Sequence, residues 1–292
     1  PATAPARPAA ASTWSSATFT VGLDDHGLLT TLANPSDPLH MDWIRQAGPA
    51  WGVPMSKENG KLQNWDPPTI AATGEHANEL HFTRGALAIT LKQALTPDDH
   101  LAQRYTLTNT GDTPITMSEG VLGIRVPLPD NYPDAATALT QRCDVHVWTG
   151  GSTAWINAIR MNGTAPHLGL VVTEGTLSAY SITDRPWNSN DRGTFVLHPP
   201  ELTIPPHASS SFGWTIFWNT GWNDFFAQAL KTPQFVHLDA DRYTITLGQT
   251  LHISAESRDS LEGATLAVDG QPTHALPSRY VGKTLSADFT PT

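Results

Sequence analysis

The chain has 292 residues, of which 39% are hydrophobic, and a formal charge of −10, length enough for one large domain or two unequal ones. No run approaches the about 18 apolar residues of a membrane-spanning helix, and the acidic balance excludes the basic patch that nucleic acid or an anionic membrane surface requires. The single cysteine, Cys143, rules out an intramolecular disulfide and, at an alternating strand position, reads as a small buried hydrophobe.

Residues 1–16, PATAPARPAAASTWSS, are Pro/Ala-rich and lack the apolar content for a core, so a flexible N-terminus is expected. Without an initiating methionine, this stretch reads as the mature start of an exported protein, secreted or periplasmic, although an arbitrary chain boundary would look the same. Residues 18–38 form a hairpin stopped by Pro35 and Pro38, with Asp24, Asp25 and His26 as solvated turn residues; no metal site is expected there. Residues 40–68 hold Trp43, Trp51 and Trp65 on irregular backbone, as the lid of a core or a sugar-stacking face, with core packing favoured because Trp buries well. A tight turn is expected at 57–61. Residues 80–95 and 100–109 read as two alternating strands, 105–116 as strand, turn and strand, 123–127 as a strand, and 129–134 as a loop.

Residues 141–200 concentrate strands, aromatics and polar groups. Five consecutive strands are expected at 143–148, 155–161, 168–174, 177–182 and 194–197, with turns at Gly150-Gly151 and Asn162-Gly163. The loop 185–193, RPWNSNDRG, is too polar to bury and too specific to be filler. Because sequence neighbours are usually sheet neighbours, this loop is expected at the mouth of the main concave surface, near His167 and Trp155. Strands at 202–206 and 211–218 close the same sheet system, and residues 221–230 are the one convincing helix.

The expected organisation is therefore a flexible N-terminus at 1–16, a β domain at 17–220, a short helix and linker at 221–232, and a β segment at 233–292. That last segment has the short strands and turns of an immunoglobulin-like sandwich but fewer strands than the usual seven.

Carboxylates facing each other across a glycosidic bond would serve hydrolysis, and the candidates for catalysis are Asp191 and Glu174. Each also has a bland alternative, a turn residue for Glu174 and an internal ion pair with Arg192 for Asp191. Ligand-binding candidates are Trp187, Asn188, Asn190, Arg192, His167, Trp155 and Arg160: an indole, amides and cations able to fix a sugar's ring face and hydroxyls. No lysine occurs between Lys92 and Lys231, so positive charge there is arginine, which suits planar carboxylate recognition and leaves elimination from a uronate open. Neither zinc spacing nor GxSxG, P-loop or dinucleotide motifs occur, and no cofactor is expected.

FTVGLDDHGLLTTLANPSDPLHMDWI, LAQRYTLTNTGDTPI, INAIRMNGTAPHLGLVVTEG and SNDRGTFVLHP together resemble the N-terminal domain of a family of large secreted bacterial proteins of unknown function. The resemblance covers about residues 17 to 230. It implies an all-β chain, an antiparallel super-sandwich of the galactose-mutarotase-like kind followed by an Ig-like β segment, as in several glycoside hydrolases and polysaccharide lyases. It also implies a C-terminal helical toroid, which this chain lacks, so catalytic residues there are missing from it. The expectation is the N-terminal β-sandwich part of a carbohydrate-active enzyme, a glycoside hydrolase before a polysaccharide lyase, contributing glycan binding or one wall of an active site. The partner is an oligosaccharide or polysaccharide. Two alternatives stand beside it: a complete hydrolase or lyase with its acid and base in 141–200, and a non-catalytic interaction module.

Overall fold

Strand formation follows the alternation of apolar and polar residues: in LAQRYTLTN, Leu101, Gln103, Tyr105, Leu107 and Asn109 are buried and the residues between them are not. A computed structural model describes residues 10–44, 48, 50–185, 192–268 and 273–291. The chain is all-β, and its sheets are antiparallel. It divides into two compact units, Pro1–Phe225 and Phe226–Thr292.

The first unit begins with β1 (Ser12–Ser15), β2 (Thr20–Leu23), β3 (Leu29–Ala33), β4 (Pro54–Glu58), β5 (Lys61–Asn64) and β6 (Thr69–Thr73). It continues through β7 (Ala77–Arg84), β8 (Leu87–Leu95), β9 (Leu101–Asn109), β10 (Ile115–Met117), β11 (Leu122–Val126) and helix α1 (Ala135–Gln141). Then come β12 (Cys143–Trp148), β13 (Trp155–Arg160), β14 (His167–Glu174), β15 (Ala179–Thr183), β16 (Thr194–His198), β17 (Leu202–Ile204) and β18 (Ser209–Asn219). Helix α2 (Trp222–Ala229) spans the division between the units. The second unit has a four-stranded sheet of β19 (Val236–Ala240), β20 (Leu251–Ser257), β23 (Ser278–Val281) and β24 (Thr284–Phe289), and a hairpin of β21 (Ala264–Leu266) and β22 (His274–Leu276). Ala229, Phe235, Ala255, Leu285 and Ala287 are its buried apolar residues among those described.

Two sheets dominate the first unit. The larger has eight strands in the order β12-β13-β14-β18-β9-β8-β7-β6, and the smaller has five in the order β15-β16-β11-β4-β5. At the centre of the larger one, β18 joins β14 on one side to β9 on the other. Its Phe212, Trp214 and Ile216 belong to the core, whereas Ser211, Gly213 and Thr215 alternate to the opposite face.

Several elements differ from the sequence reading. Residues 12–15, inside the stretch expected to be flexible, form β1 and pair with β2. Residues 80–95 are parts of two strands, because Gly85 at φ 58° opens a two-residue turn that folds β7 onto β8. Helix α1 follows a loop that ends at Asp134, whose carboxylate accepts from the Thr137 N–H at 2.9 Å; seven residues are too few for a helical period to show in sequence. The five strands in 141–200 do not share one sheet: β12, β13 and β14 are in the larger, β15 and β16 in the smaller. The change occurs at Gly175, at φ 67°, where a Cβ would stand 2.6 Å from the Ser211 carbonyl oxygen, so only glycine lets the chain turn this close to β18. The Lys57–Lys61 turn matches its reading, with Asn59 and Gly60 at φ 48° and 79°.

Trp43 and Trp51 are fully buried and Trp65 nearly so, which assigns all three to the core. A polar chain crosses that core. Trp51 and Trp214 both donate their indole N–H to Gln103 Oε1, at 2.8 and 2.9 Å. Gln103 Nε2 donates to Gln93 Oε1 at 2.9 Å, Gln93 Nε2 to the Gly27 carbonyl at 2.6 Å, and Asn78 Nδ2 to the same carbonyl at 2.9 Å. Replacing Gln103 by Leu orphans two indole donors and the Gln93 acceptor, each costing about 1–3 kcal/mol when buried. Gln103→Leu is expected to lower unfolding stability by about 3–6 kcal/mol, read from the urea midpoint at unchanged slope. A loss near zero would show that the network does not carry the core.

Candidate functional site

On the face of the larger sheet opposite the core, register places Glu79, Lys92, Arg104, Gly213 and Glu174 in one row across β7, β8, β9, β18 and β14. The row borders a cavity of about 580 Å³ whose floor is small residues such as Ala94, Ala102 and Gly213. Gly213 carries no side chain, so Arg104 reaches over it: Nε and Nη2 stand 2.6 and 2.8 Å from the two Glu174 oxygens. The bond to Glu174 raises the Arg104 pKa further. Glu174 reaches this face only because the pairing with β18 slips between Val172 and Glu174. Without the extra residue, it would point to the core side with Val172.

At the other end of the row, Glu79 bonds His81 at 2.9 Å and Lys92 at 3.0 Å, and these two partners, His81 first, hold its carboxyl below the usual range. Four strand spacings separate Glu79 from Glu174, about 19 Å, far beyond the roughly 5–9.5 Å of a glycosidase pair. Glu174, expected as a catalytic carboxylate, is thus one half of an ion pair that crosses the sheet.

At the β12 edge the same face becomes aromatic. Asp144, His146 and Trp148 of β12 pair with Ile159, Asn157 and Trp155 of β13. The Trp222 ring, from the first turn of α2, lies edge-on to His146 at 5.0 Å and to Trp155 at 5.7 Å. Gly169 makes room for this arrangement, because a Cβ there would fall 2.6 Å from the Phe217 ring and 3.0 Å from Phe225. Asp224 Oδ2 accepts the Thr220 N–H at 2.9 Å, satisfying a donor at the helix start. Trp148 and Trp222 remain 47% and 38% exposed, a large stacking area for two such costly side chains to leave in water.

Beside these rings, Tyr132 Oη donates to Asp144 Oδ1 at 3.0 Å and accepts from Arg192 Nη2 at 3.2 Å. The Arg192 guanidinium stands 5.9 Å from the Tyr132 ring centre, and its Nε lies 3.5 Å from the buried Asp130. Burial, then the Asp144 bond, pushes the Tyr132 phenol up, so it holds its proton at neutral pH; the Asp130 charge raises Arg192 in turn. Arg192 therefore ties one base of the polar loop to the β12 edge, through Tyr132 rather than through a shared sheet. Asp191, Trp187, Asn188 and Asn190 lie outside the described residues. The local sequence signal for Tyr132 is the loop PDNYPD, which concentrates an aromatic and three carboxylate or amide groups, whereas Asp144 carries no signal beyond its strand position.

Arg160 and His167, expected among the ligand-binding groups, are buried and face inward instead. The Arg160 guanidinium is 0% exposed, ion-paired to Asp37 and 5.9 Å from the Trp43 ring centre. Asp37 also accepts from the Leu39 and Met41 N–H groups, both at 3.0 Å, which shapes the loop that carries Trp43. His167 Nδ1 accepts the Arg160 backbone N–H at 3.2 Å; burial, then the Arg160 charge, keeps the imidazole neutral. Their role is to hold the 37–44 loop against β13, and Trp155 alone of the three stays on the open face.

No family profile and no curated protein matches the sequence. A solved polysaccharide lyase is similar over 94% of this chain, with a TM-score of 0.81 and 26% identity, and the chain spans 43% of that lyase's length. A 4-alpha-glucanotransferase from Thermococcus litoralis (TM-score 0.42, 8% identity, 70% of this chain and 37% of that one) is too distant to carry an argument. The same holds for a glycoside hydrolase family 81 protein from Clostridium thermocellum (0.32, 11%, 98% and 38%).

The buried pair also sets an acid limit. Burial works to raise the Asp37 pKa, but the bonds from Arg160, Leu39 and Met41 outweigh it and hold the carboxyl below its ordinary value. A lowered folded pKa contributes stability that is present above the unfolded value of about 3.9 and is lost as pH falls through the folded one. Asp37→Asn leaves the Arg160 charge buried without its partner and should cost about 3–5 kcal/mol at pH 7. In urea titrations from pH 7 to 2, the variant should lack the part of the acid-dependent loss that wild type shows below about pH 4. Equal pH slopes in the two proteins would contradict this assignment.

Proposed function

We propose that the chain is the β-sandwich part of a polysaccharide-degrading enzyme, and that its aromatic corner binds the glycan. The observation that carries this reading is the match of nearly the whole chain to a polysaccharide lyase at a TM-score of 0.81. It favours elimination over the hydrolysis anticipated from the sequence, and so does the outer face, where Glu79 and Glu174 are consumed in ion pairs rather than poised as acid and base. In this reading the first unit is a super-sandwich of the galactose-mutarotase-like kind and the second an Ig-like module. A helical catalytic domain C-terminal to them supplies the remaining wall, and the enzyme works outside the cytoplasm, where a polymer too large to cross a membrane is met.

Within the corner, Trp148, Trp155 and Trp222 offer apolar faces to sugar rings, while His146 and the Tyr132–Asp144–Arg192 chain offer directional hydrogen bonds at the rim. That combination is how a largely polar ligand gains both area and orientation. Arg192 and Trp155 keep the binding roles anticipated from the sequence.

The test is titration calorimetry of residues 1–292 against acidic and neutral polysaccharides, with unsaturated-product absorbance followed in parallel. Trp148→Ala and Trp155→Ala are each expected to weaken binding about tenfold, the equivalent of about 1.4 kcal/mol, without product appearing in any sample. Unchanged affinity in both folded variants would overturn the assignment. Product formation by this chain alone would move it to a complete enzyme.

A further inference from the structure

The five-stranded sheet has an outer face of its own, opposite the one that carries Leu122, Ile124, Phe195 and Leu197 of the core. On that outer face Ser181 of β15 pairs with Val196 of β16, and His198 of β16 pairs with Ala179, so the serine and the histidine are diagonal neighbours on adjacent strands. On the other side of His198, register places Gly123 of β11. A Cβ at Gly123 would meet Val196 at 2.4 Å and His198 Nδ1 at 2.7 Å, so the imidazole can lie across β11 only because no side chain stands there.

The ring is fixed at both nitrogens. His198 Nδ1 is 2.7 Å from the Leu122 carbonyl oxygen, and Nε2 is 2.8 Å from Ser181 Oγ. A carbonyl oxygen only accepts, so the neutral imidazole carries its proton on Nδ1, and the bare Nε2 accepts from the Ser181 hydroxyl. Burial above all holds the His198 pKa below its ordinary value, which makes this neutral tautomer the form present at pH 7. A hydroxyl proton directed at a basic imidazole nitrogen, with the ring oriented through its other nitrogen, is the arrangement that turns serine into a nucleophile. Here a backbone carbonyl does the orienting. The histidine is buried, whereas Ser181 is half-buried and lines a cavity of about 620 Å³, within the size range of small-molecule sites. Two charged side chains of that lining act on the imidazole, Glu119 favouring its protonated form and Lys57 opposing it. Glu119 therefore stabilises the imidazolium that forms when His198 takes a proton, and Lys57 is a cation available to a developing oxyanion.

We propose that Ser181 and His198 are a nucleophile and its base, and that this cavity is an esterase site for a small O-acyl ester such as an acetyl group. Ser181 Oγ adds to the ester carbonyl carbon while its proton passes to His198 Nε2. The carbonyl then re-forms, the bond to the alcohol oxygen breaks, and that oxygen leaves with the proton from His198, so that acyl-Ser181 remains. Water, losing a proton to His198 Nε2, attacks the acyl carbon; the bond to Ser181 Oγ breaks, Oγ recovers the proton, and a carboxylic acid departs. Water is the only co-reactant, and nothing is oxidised or reduced. The identity of the alcohol as a sugar hydroxyl of an acylated polysaccharide rests on the functional reading above; the ester chemistry does not.

The experiment uses residues 1–292 as wild type, Ser181→Ala and Trp148→Ala, each checked for folding by a circular-dichroism melt. A fluorophosphonate, whose fluoride a serine nucleophile displaces, should leave one phosphonyl adduct on wild type, located on Ser181 by peptide mass spectrometry. p-Nitrophenyl acetate should be hydrolysed equally by wild type and Trp148→Ala, and about a hundredfold more slowly by Ser181→Ala. Acetate should also be released from an acetylated xylan by wild type. Absence of the Ser181 adduct from folded wild type overturns the inference, and this result needs no variant to fold. Equal hydrolysis by wild type and Ser181→Ala overturns it as well. Hydrolysis of p-nitrophenyl acetate without release from the xylan overturns the sugar assignment and leaves the dyad. None of these readouts depends on glycan binding at the aromatic corner, so the corner can fail its own titration while the esterase site stands.

Discussion

The first unit depends on two glutamines placed where hydrophobic residues would be ordinary. Gln93 and Gln103 sit at core-facing positions of adjacent central strands, 1% exposed each. A lone buried amide would be a liability, because its unmade hydrogen bonds cost more than the made ones contribute. Here Gln103 Oε1 uses both lone pairs on the indoles of Trp51 and Trp214, and the chain of donors ends on the Gly27 carbonyl at a hairpin turn. The network thus connects β8, β9, β18, the tryptophan-bearing loop and the β2–β3 turn. A misregistered strand would leave several of its groups unpaired, so it specifies pairing as well as adding stability.

With the core specified in this way, the outer faces are free to differ. Glycine decides their relief. Gly213 lets Arg104 lie down across β18, Gly169 admits Phe217 and Phe225 under the start of α2, and Gly123 makes the trough that His198 floors. The larger sheet consequently presents a self-neutralised charged row and, at its β12 edge, exposed indoles. The smaller presents a groove floored by Gly123, Val196 and His198. On the larger face the candidate Glu174 is ion-paired to Arg104 and stands four strand spacings, about 19 Å, from Glu79. This distribution is what the proposed glycan-binding role calls for.

Much of the architecture was legible from local pattern. Period-two alternation in LAQRYTLTN and CDVHVW, the Asn59-Gly60 turn, and the helix near residue 221 each depend on residues close in the chain, so backbone preference and patterning by themselves determined them, together with the all-β class and the burial of Cys143. Assignments that needed a long-range partner were decided by tertiary structure alone. Arg160 and His167 look like ligand groups until Asp37, more than a hundred residues away, claims the guanidinium. Glu174 looks like a free carboxylate until a slipped register turns it toward Arg104. The five strands of 141–200 look like one sheet until the chain turns against β18 at Gly175. The physical reason is common to all three cases: a strand's sequence states which faces are apolar, but a charge's role and a sheet's membership depend on which distant strand supplies the neighbour, and that information exists only once the chain has folded.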